Sequence, residues 1–106
     1  MRTMKLITAE REDARIVRIT GDIDHHSAHG LREAIDSYLE AEPMRELILD
    51  LSATAFMDSS GLGLILGRLR RAEAKGVRLV LLNPTASIVK ILRLAGMEGR
   101  PEIRYL

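Results

Sequence analysis

Glu46-Leu47-Ile48-Leu49-Asp50-Leu51, then Phe56-Met57-Asp58-Ser59-Ser60-Gly61-Leu62, then Val77-Arg78-Leu79-Val80-Leu81-Leu82 set out a strand, a helix start and a second strand. Leu47-Ile48-Leu49 is an apolar run bounded by charge, as a buried strand requires. A short loop through Ser52-Ala53-Thr54 leads to Phe56 and Met57, both expected to pack inward. Asp58-Ser59-Ser60-Gly61 reads as a helix start, with Asp or Ser accepting the first free amides. Leu62, Ile65, Leu66, Leu69 and Ala72 recur at helical spacing and form the buried stripe. Arg68, Arg70, Arg71, Glu73 and Lys75 make the wet side, and Gly76 ends the helix. Burial of its four large apolar side chains, at about 1.5–3 kcal/mol each, docks this helix. Strand, amphipathic helix and strand in that order form the unit of a parallel α/β sheet.

Outward from this unit, Lys5 to Glu10 and Arg15 to Thr20 read as two short strands joined by the charged turn Arg11-Glu12-Asp13. Ile16, Val17 and Ile19 supply the apolar side of the second strand, which Gly21-Asp22-Ile23-Asp24 ends. Asp24 stands where a carboxylate caps the helix that follows. In that helix Leu31, Ala34, Ile35, Tyr38 and Leu39 form one stripe, Arg32, Glu33, Asp36 and Glu40 face water, and Pro43 closes the segment. Beyond Leu82, Asn83-Pro84 offers a cap and a first-turn proline for a third helix. Ile88, Val89, Ile91, Leu92 and Ala95 are its core side and Gly96 its stop. Glu102 to Leu106 reads as a last, edge strand. The order β-β-α-β-α-β-α-β, with no repeat, low-complexity run or linker, implies an α/β fold. It is one domain over residues 1–106, a mostly parallel mixed sheet of four or five strands with amphipathic helices packed around it.

A chain of 106 residues, 46% hydrophobic and 29% charged, can hold one core without a metal or disulfide staple. Cysteine is absent, which removes a disulfide framework, a thiolate nucleophile and a thiolate metal site, and fits a reducing compartment. Net charge is +1, with one Phe, two Tyr and no Trp. That composition argues against a nucleic-acid surface, which gathers basic charge and stacks bases on aromatic rings. The apolar runs, such as Leu79 to Leu82, fall short of the roughly 20 residues of a membrane helix. Met1-Arg2-Thr3-Met4-Lys5 carries no apolar leader. The expectation is a cytoplasmic protein with neither a nucleic-acid nor a membrane partner.

Functional groups in open α/β sheets gather beyond the carboxyl ends of parallel strands. Two polar clusters fall at such ends: Gly21-Asp22-Ile23-Asp24-His25-His26-Ser27, and Met57-Asp58-Ser59-Ser60-Gly61-Leu62-Gly63. Taken by themselves they are equally well read as turn chemistry, Asp and Ser capping while Gly relieves crowding.

Gly-Asp-Ile-Asp-His-His-Ser-Ala at 21–28, followed by Phe-Met-Asp-Ser-Ser-Gly-Leu-Gly at 56–63, resembles the anti-sigma factor antagonists of the STAS-domain family. The likeness is nearer to the sporulation branch, and Leu64-Ile65-Leu66-Gly67-Arg68 continues it. The resemblance covers essentially the whole chain. It implies a non-catalytic partner-switching protein. In the unphosphorylated state such a protein binds an anti-sigma factor that is also a serine kinase, and so releases the sigma factor. It implies that Ser59 is the phosphoacceptor, with Ser60 as its neighbour and main rival. ATP and magnesium then belong to the kinase, no cofactor to this chain, and a serine phosphatase resets the switch. The partner surface it implies combines Asp22, Ile23, Asp24 and His25 with Asp58, Ser59, Ser60, Gly61 and Leu62. A phosphate on Ser59 would meet free amides and the positive end of the helix dipole. It adds about −1.5 to −2 charge beside Asp58 and opposite Asp22 or Asp24. Family members continue into a further helix after the last strand. Without it, an apolar strip beside Ile103 and Tyr105 is left for self-association of an otherwise monomeric protein.

Other chemistries fit less well. A serine hydrolase needs a Gly-x-Ser-x-Gly elbow and a positioned base, and Asp58-Ser59-Ser60-Gly61 lacks that frame. Gly61, Gly63 and Gly67 do not belong to a Gly-x-x-x-x-Gly-Lys-Ser/Thr loop. His25, His26 and His29 lack a further ligand for a metal, and Arg68, Arg70, Arg71 and Lys75 read as a solvated row. One alternative is a receiver-like domain phosphorylated on Asp50 or Asp58, which needs a lysine near the last strand, where this sequence offers only Lys90, on a helix. A second is a STAS scaffold of a stress or membrane-associated complex whose Ser59 is never modified.

Overall fold

The structure, a computed structural model, describes residues 4–41 and 43–106. Residues 1–3, with which the expected domain begins, lie outside the described residues. The elements are β1 (Lys5–Arg11), β2 (Ala14–Ile23), α1 (His25–Ala41), β3 (Glu46–Asp50), β4 (Thr54–Met57), α2 (Ser59–Ala74), β5 (Arg78–Leu82), α3 (Ala86–Leu94) and β6 (Ile103–Arg104). The sheet runs β1-β2-β3-β5-β6, with β4 joined to β2 off this path. Among the described residues only the β1–β2 hairpin is antiparallel; the other pairings are parallel.

The mixed, mostly parallel α/β sheet is the expected one, with one strand more. The stretch from Thr54, the end of the expected loop, to Met57 forms β4, because β2 outlasts its pairing with β3. Residues Ala14 to Arg18 of β2 pair with β3, whereas Gly21 to Ile23 pair with β4. Gly21 stands at this fork with φ 106°, a conformation that favours glycine, and its amide donates to the Ala53 carbonyl at 3.1 Å. Thr54 is fully buried there, its hydroxyl donating to the Ile19 carbonyl at 2.8 Å.

Val17, Ile19, Leu47, Leu49, Leu79 and Leu81 line the sheet side of one core, and Leu31, Ile35, Leu39, Leu64 and Ile65 close it from α1 and α2. The stripe of α2 differs from the expected one. Leu64 is buried, while Leu62, Leu66 and Leu69 are half-buried at its margin. The reason is that α2 packs on α1 as well as on the sheet. The same contact removes Arg68 from the solvated row: its guanidinium, 13% exposed, bonds Asp36 at 3.0 Å. Asp36, expected in water, is half-buried. Arg71 and Lys75 reach Glu40 of α1 at 2.8 and 2.9 Å, so the basic row clamps the two helices.

Both α2 and α3 end as the glycines foretell. Gly76 (φ 72°) and Gly96 (φ 77°) take left-handed geometry. Val77 donates back to Ala72 and Met97 to Leu92, which satisfies the last carbonyls. The start of α3 is displaced from its expected position. Thr85 is the cap residue, and Asn83 (φ 51°) and Pro84 make the turn before it. No helix among the described residues is long and apolar enough to cross a membrane.

Candidate functional site: a crevice between two helix starts

Helices α1 and α2 begin side by side because β2 and β4 are paired at their carboxyl ends, Ile23 opposite Met57. Each helix is capped by an aspartate. Asp24 Oδ1 accepts the amides of His26 at 2.9 Å and Ser27 at 3.0 Å. Ser27 answers by accepting the Asp24 amide at 3.0 Å, a reciprocal box in which serine takes the place usual for Glu or Gln. The Ser27 hydroxyl also donates to the Asp22 carbonyl at 2.9 Å, tying α1 to the end of β2. The Ser27 amide is the main cause holding the Asp24 carboxyl below its ordinary value of 3.8, against the opposing pull of burial.

Asp58 does more. Its Oδ1 accepts Ser60 N–H at 2.9 Å and Gly61 N–H at 3.2 Å, capping α2. Its Oδ2 crosses to α1 and accepts His25 N–H at 3.2 Å, while the Asp58 amide donates to the Ile23 carbonyl, also at 3.2 Å. One carboxylate therefore terminates one helix and holds the first amide of the other. The two helix starts approach closely enough that a side chain at 61 has no room. A Cβ on Gly61 would lie 2.5 Å from Met57 Cγ, 2.8 Å from Ile23 Cγ2 and 2.9 Å from the Ile23 carbonyl oxygen. That contact is what the Asp-Ser-Ser-Gly order secures.

The expected site residues divide by burial. Ser59, the first residue of α2, is exposed, as are His25 and His26, whose rings meet edge to face at 5.9 Å. Asp22, Asp24, Asp58, Ser60 and Leu62 are half-buried. Ile23 is fully buried and Gly61 buried, so these two shape the crevice from behind while their neighbours face outward. The expectation of free amides for a phosphate is corrected: Ser60 and Gly61 already donate to Asp58 Oδ1, and the Leu62 amide donates to the Asp58 carbonyl at 3.1 Å. A phosphate placed on Ser59 would meet the positive end of the helix and the Asp58 carboxylate together. His29 pairs with Glu33 one turn along, at 2.9 Å, away from its two neighbours. Asp50, the other aspartate considered for phosphorylation, accepts the Ser52 amide at 3.0 Å.

Phe56 reverses its expected orientation and is 51% exposed, while Met57 is buried as expected. The cause is a bulge. Gly21 pairs with Thr54 and Asp22 with Phe56, so Ala55 has no opposite number and the inside-outside alternation of β4 shifts by one. The inward positions become Thr54 and Met57. Alternation alone cannot reveal such a shift; the nearest signal is the small, featureless Ala55 between Thr54 and Phe56.

Residues 5–104 match the STAS domain. The anti-sigma F factor antagonist of Lysinibacillus sphaericus is 37% identical over 82 residues, which are 77% of this chain and 70% of that protein. The solved structure of the anti-sigma factor antagonist SpoIIAA in its unphosphorylated form superposes with a TM-score of 0.81 at 32% identity, over 98% of this chain and 88% of that one. The phosphorylated form of SpoIIAA, the Bacillus cell fate determinant, superposes with a TM-score of 0.76 at 31% identity, over 98% and 91%. With its fold and its sequence in agreement, the chain belongs to the STAS-domain family, among the anti-sigma factor antagonists.

Proposed function

We propose that this antagonist is a partner switch thrown by phosphorylation of Ser59. Unphosphorylated, it binds an anti-sigma factor that is also a serine kinase, and the sigma factor is released for transcription. Phosphorylated, it lets go, and a serine phosphatase restores it. ATP and magnesium belong to the kinase. The chain contributes a binding surface and an acceptor hydroxyl, with no catalysis or cofactor of its own, and it works in the cytoplasm, in a sporulation programme.

The observation that carries this reading is the contrast between Ser59 and Asp58. Ser59 is exposed at the first position of α2, where a kinase can reach it, and it contributes nothing to the cap. Asp58 makes the cap alone. A phosphate on Ser59 therefore alters the charge of the surface by about −1.5 to −2 without dismantling the helix start. A partner fitted to a neutral serine then meets like charge and bulk, which cost several kcal/mol at an interface. The phosphorylated and unphosphorylated forms solved for SpoIIAA, both similar to this chain, support a switch of this kind.

The test is incubation with the organism's anti-sigma factor kinase and ATP, read by intact mass and by mapping the modified residue. One stable phosphate on Ser59 is expected. A phosphate on Ser60 moves the acceptor by one residue, and none on either serine beside an active kinase leaves an unmodified scaffold.

A further inference from the structure

The chain has a single phenylalanine among 106 residues, and it is held out of the core. Phe56 is 51% exposed although the residue before it in the ladder, Thr54, and the residue after it, Met57, are 0% and 4% exposed. Regular alternation from buried Thr54 would place Phe56 inside. The bulge at Ala55 prevents this and at the same time brings Met57 in. Phe56 stands opposite Asp22 in the β2–β4 ladder, and the Asp22 carbonyl is tied to Ser27 at the start of α1. Three residues further along the chain is the exposed Ser59, with Asp58 between them fixed to both helices. The ring and the hydroxyl are thus carried by one rigid frame.

We infer that Phe56 is the apolar anchor by which this protein holds the anti-sigma factor, an inference that rests on the function proposed above. An exposed aromatic on a rigid frame loses little freedom on burial, and such side chains dominate interface energy when a partner pocket encloses them. The occupant is a protein surface with an apolar pocket for one ring and a rim that tolerates a serine hydroxyl at the position of Ser59. The half-buried carboxylate of Asp22, beside Phe56 in the ladder, favours donors on that rim. The division of labour follows: Phe56 supplies affinity in the unphosphorylated state, and the phosphate on Ser59 opposes closure around the same ring.

The experiment is calorimetric titration of the anti-sigma factor with the wild-type chain, Phe56→Ala, Phe56→Tyr and Ile7→Ser. Ile7 serves as comparator because it is 61% exposed on β1, which pairs with β2 alone. Phe56→Ala is expected to bind about 30-fold more weakly or worse, the scale of a hot-spot truncation, with an unchanged melting temperature. Phe56→Tyr is expected to stay within about threefold of wild type, since the ring is kept. Binding of Phe56→Ala within about threefold of wild type overturns the inference and leaves the proposed function standing. Equal losses from Phe56→Ala and Ile7→Ser overturn it as well, since general stickiness then explains both. A wild-type chain that does not bind at all removes the proposed function together with the anchor.

Discussion

Asp58 Oδ2 accepts the backbone amide of His25 at 3.2 Å across the crevice, although the two residues stand 33 positions apart in sequence. Through this bond the residue beside Ser59 sets the spacing of α1 and α2, while its other oxygen caps α2. Asp58→Ala removes both roles. The expected cost is about 1–2 kcal/mol for the cap, with a further loss from the uncovered His25 amide, measured by urea denaturation. Asp58→Asn keeps an acceptor and should lose less. A stability of Asp58→Ala equal to wild type would deny the double cap.

Gly61 and Gly63 look alike in sequence and should answer oppositely to alanine. A Cβ at 61 meets the Ile23 carbonyl oxygen at 2.9 Å, and backbone cannot step aside as a flexible side chain can. Gly61→Ala is expected to destabilise by about 1–3 kcal/mol. At Gly63 a Cβ meets nothing within 4 Å, so Gly63→Ala should stabilise by about 0.5–1 kcal/mol through the usual helix preference for alanine. Thermal melts of the two variants decide the matter.

Arg68 and Asp36 form the least solvated ion pair between α1 and α2 among the described residues, with side chains 13% and 28% exposed. Asp36→Ala leaves the arginine half-buried without its carboxylate and is expected to cost about 1–3 kcal/mol. The double variant Asp36→Ala, Arg68→Met should recover part of that loss, because the uncompensated charge is gone. A strictly additive cycle would mean that the pair contributes nothing beyond packing.

Acid should loosen the crevice. The carboxyl of Asp24 is held low chiefly by the Ser27 amide, so folding favours its ionised form. Its contribution is complete above the ordinary value of 3.8 and disappears as pH falls below that value. Glu40, lowered by Lys75 and Arg71, and Glu102, lowered by Arg100, act in the same direction. Stability is expected to be flat from about pH 7 to 5 and to fall beyond. Asp24→Asn, which still caps, should show a shallower acid limb in denaturation curves recorded at successive pH values below about 5; an unaltered limb would place the dependence on the glutamates.

Ser59→Ala should bind the anti-sigma factor as the wild type does and resist phosphorylation. Ser59→Asp should bind about tenfold more weakly, less than the phosphorylated protein, since one carboxylate carries about half the charge of a phosphate. Equal affinities of the Ser and Asp variants by calorimetry would assign control to the bulk of the phosphate.

Much of this architecture was legible because it rests on local chemistry. Gly76 and Gly96 end their helices where a left-handed residue is needed, and Asp24 and Asp58 cap theirs. The features that escaped depend on partners distant in sequence. Leu64 is buried because α2 is covered from two sides, and no single stripe describes that. Arg68 leaves the solvent because Asp36 lies across from it on another helix. Phe56 turns outward because Ala55 is an extra residue of β4 with no opposite number on β2, and β4 itself exists only because β2 runs past β3. The Asp58 bond to His25 joins two motifs that the sequence shows separately. Their resemblance to family motifs marked them as belonging together without showing what holds them.

The fork in β2 also governs where the chain can be divided. Among the described residues β1 pairs with no strand but β2, and the turn that joins them, at Glu12 and Asp13, is exposed. A backbone cut in that turn leaves the long strand whole, and the two pieces can reassemble by a simple edge pairing. A cut at Gly21 falls between the part of β2 that pairs with β3 and the part that pairs with β4. It would separate the sheet that sets position from the peptide that pairs with the strand leading to Ser59. For split-protein reporters or circular permutants of this antagonist, the natural seam is the first hairpin, and the fork is the joint that must remain covalent.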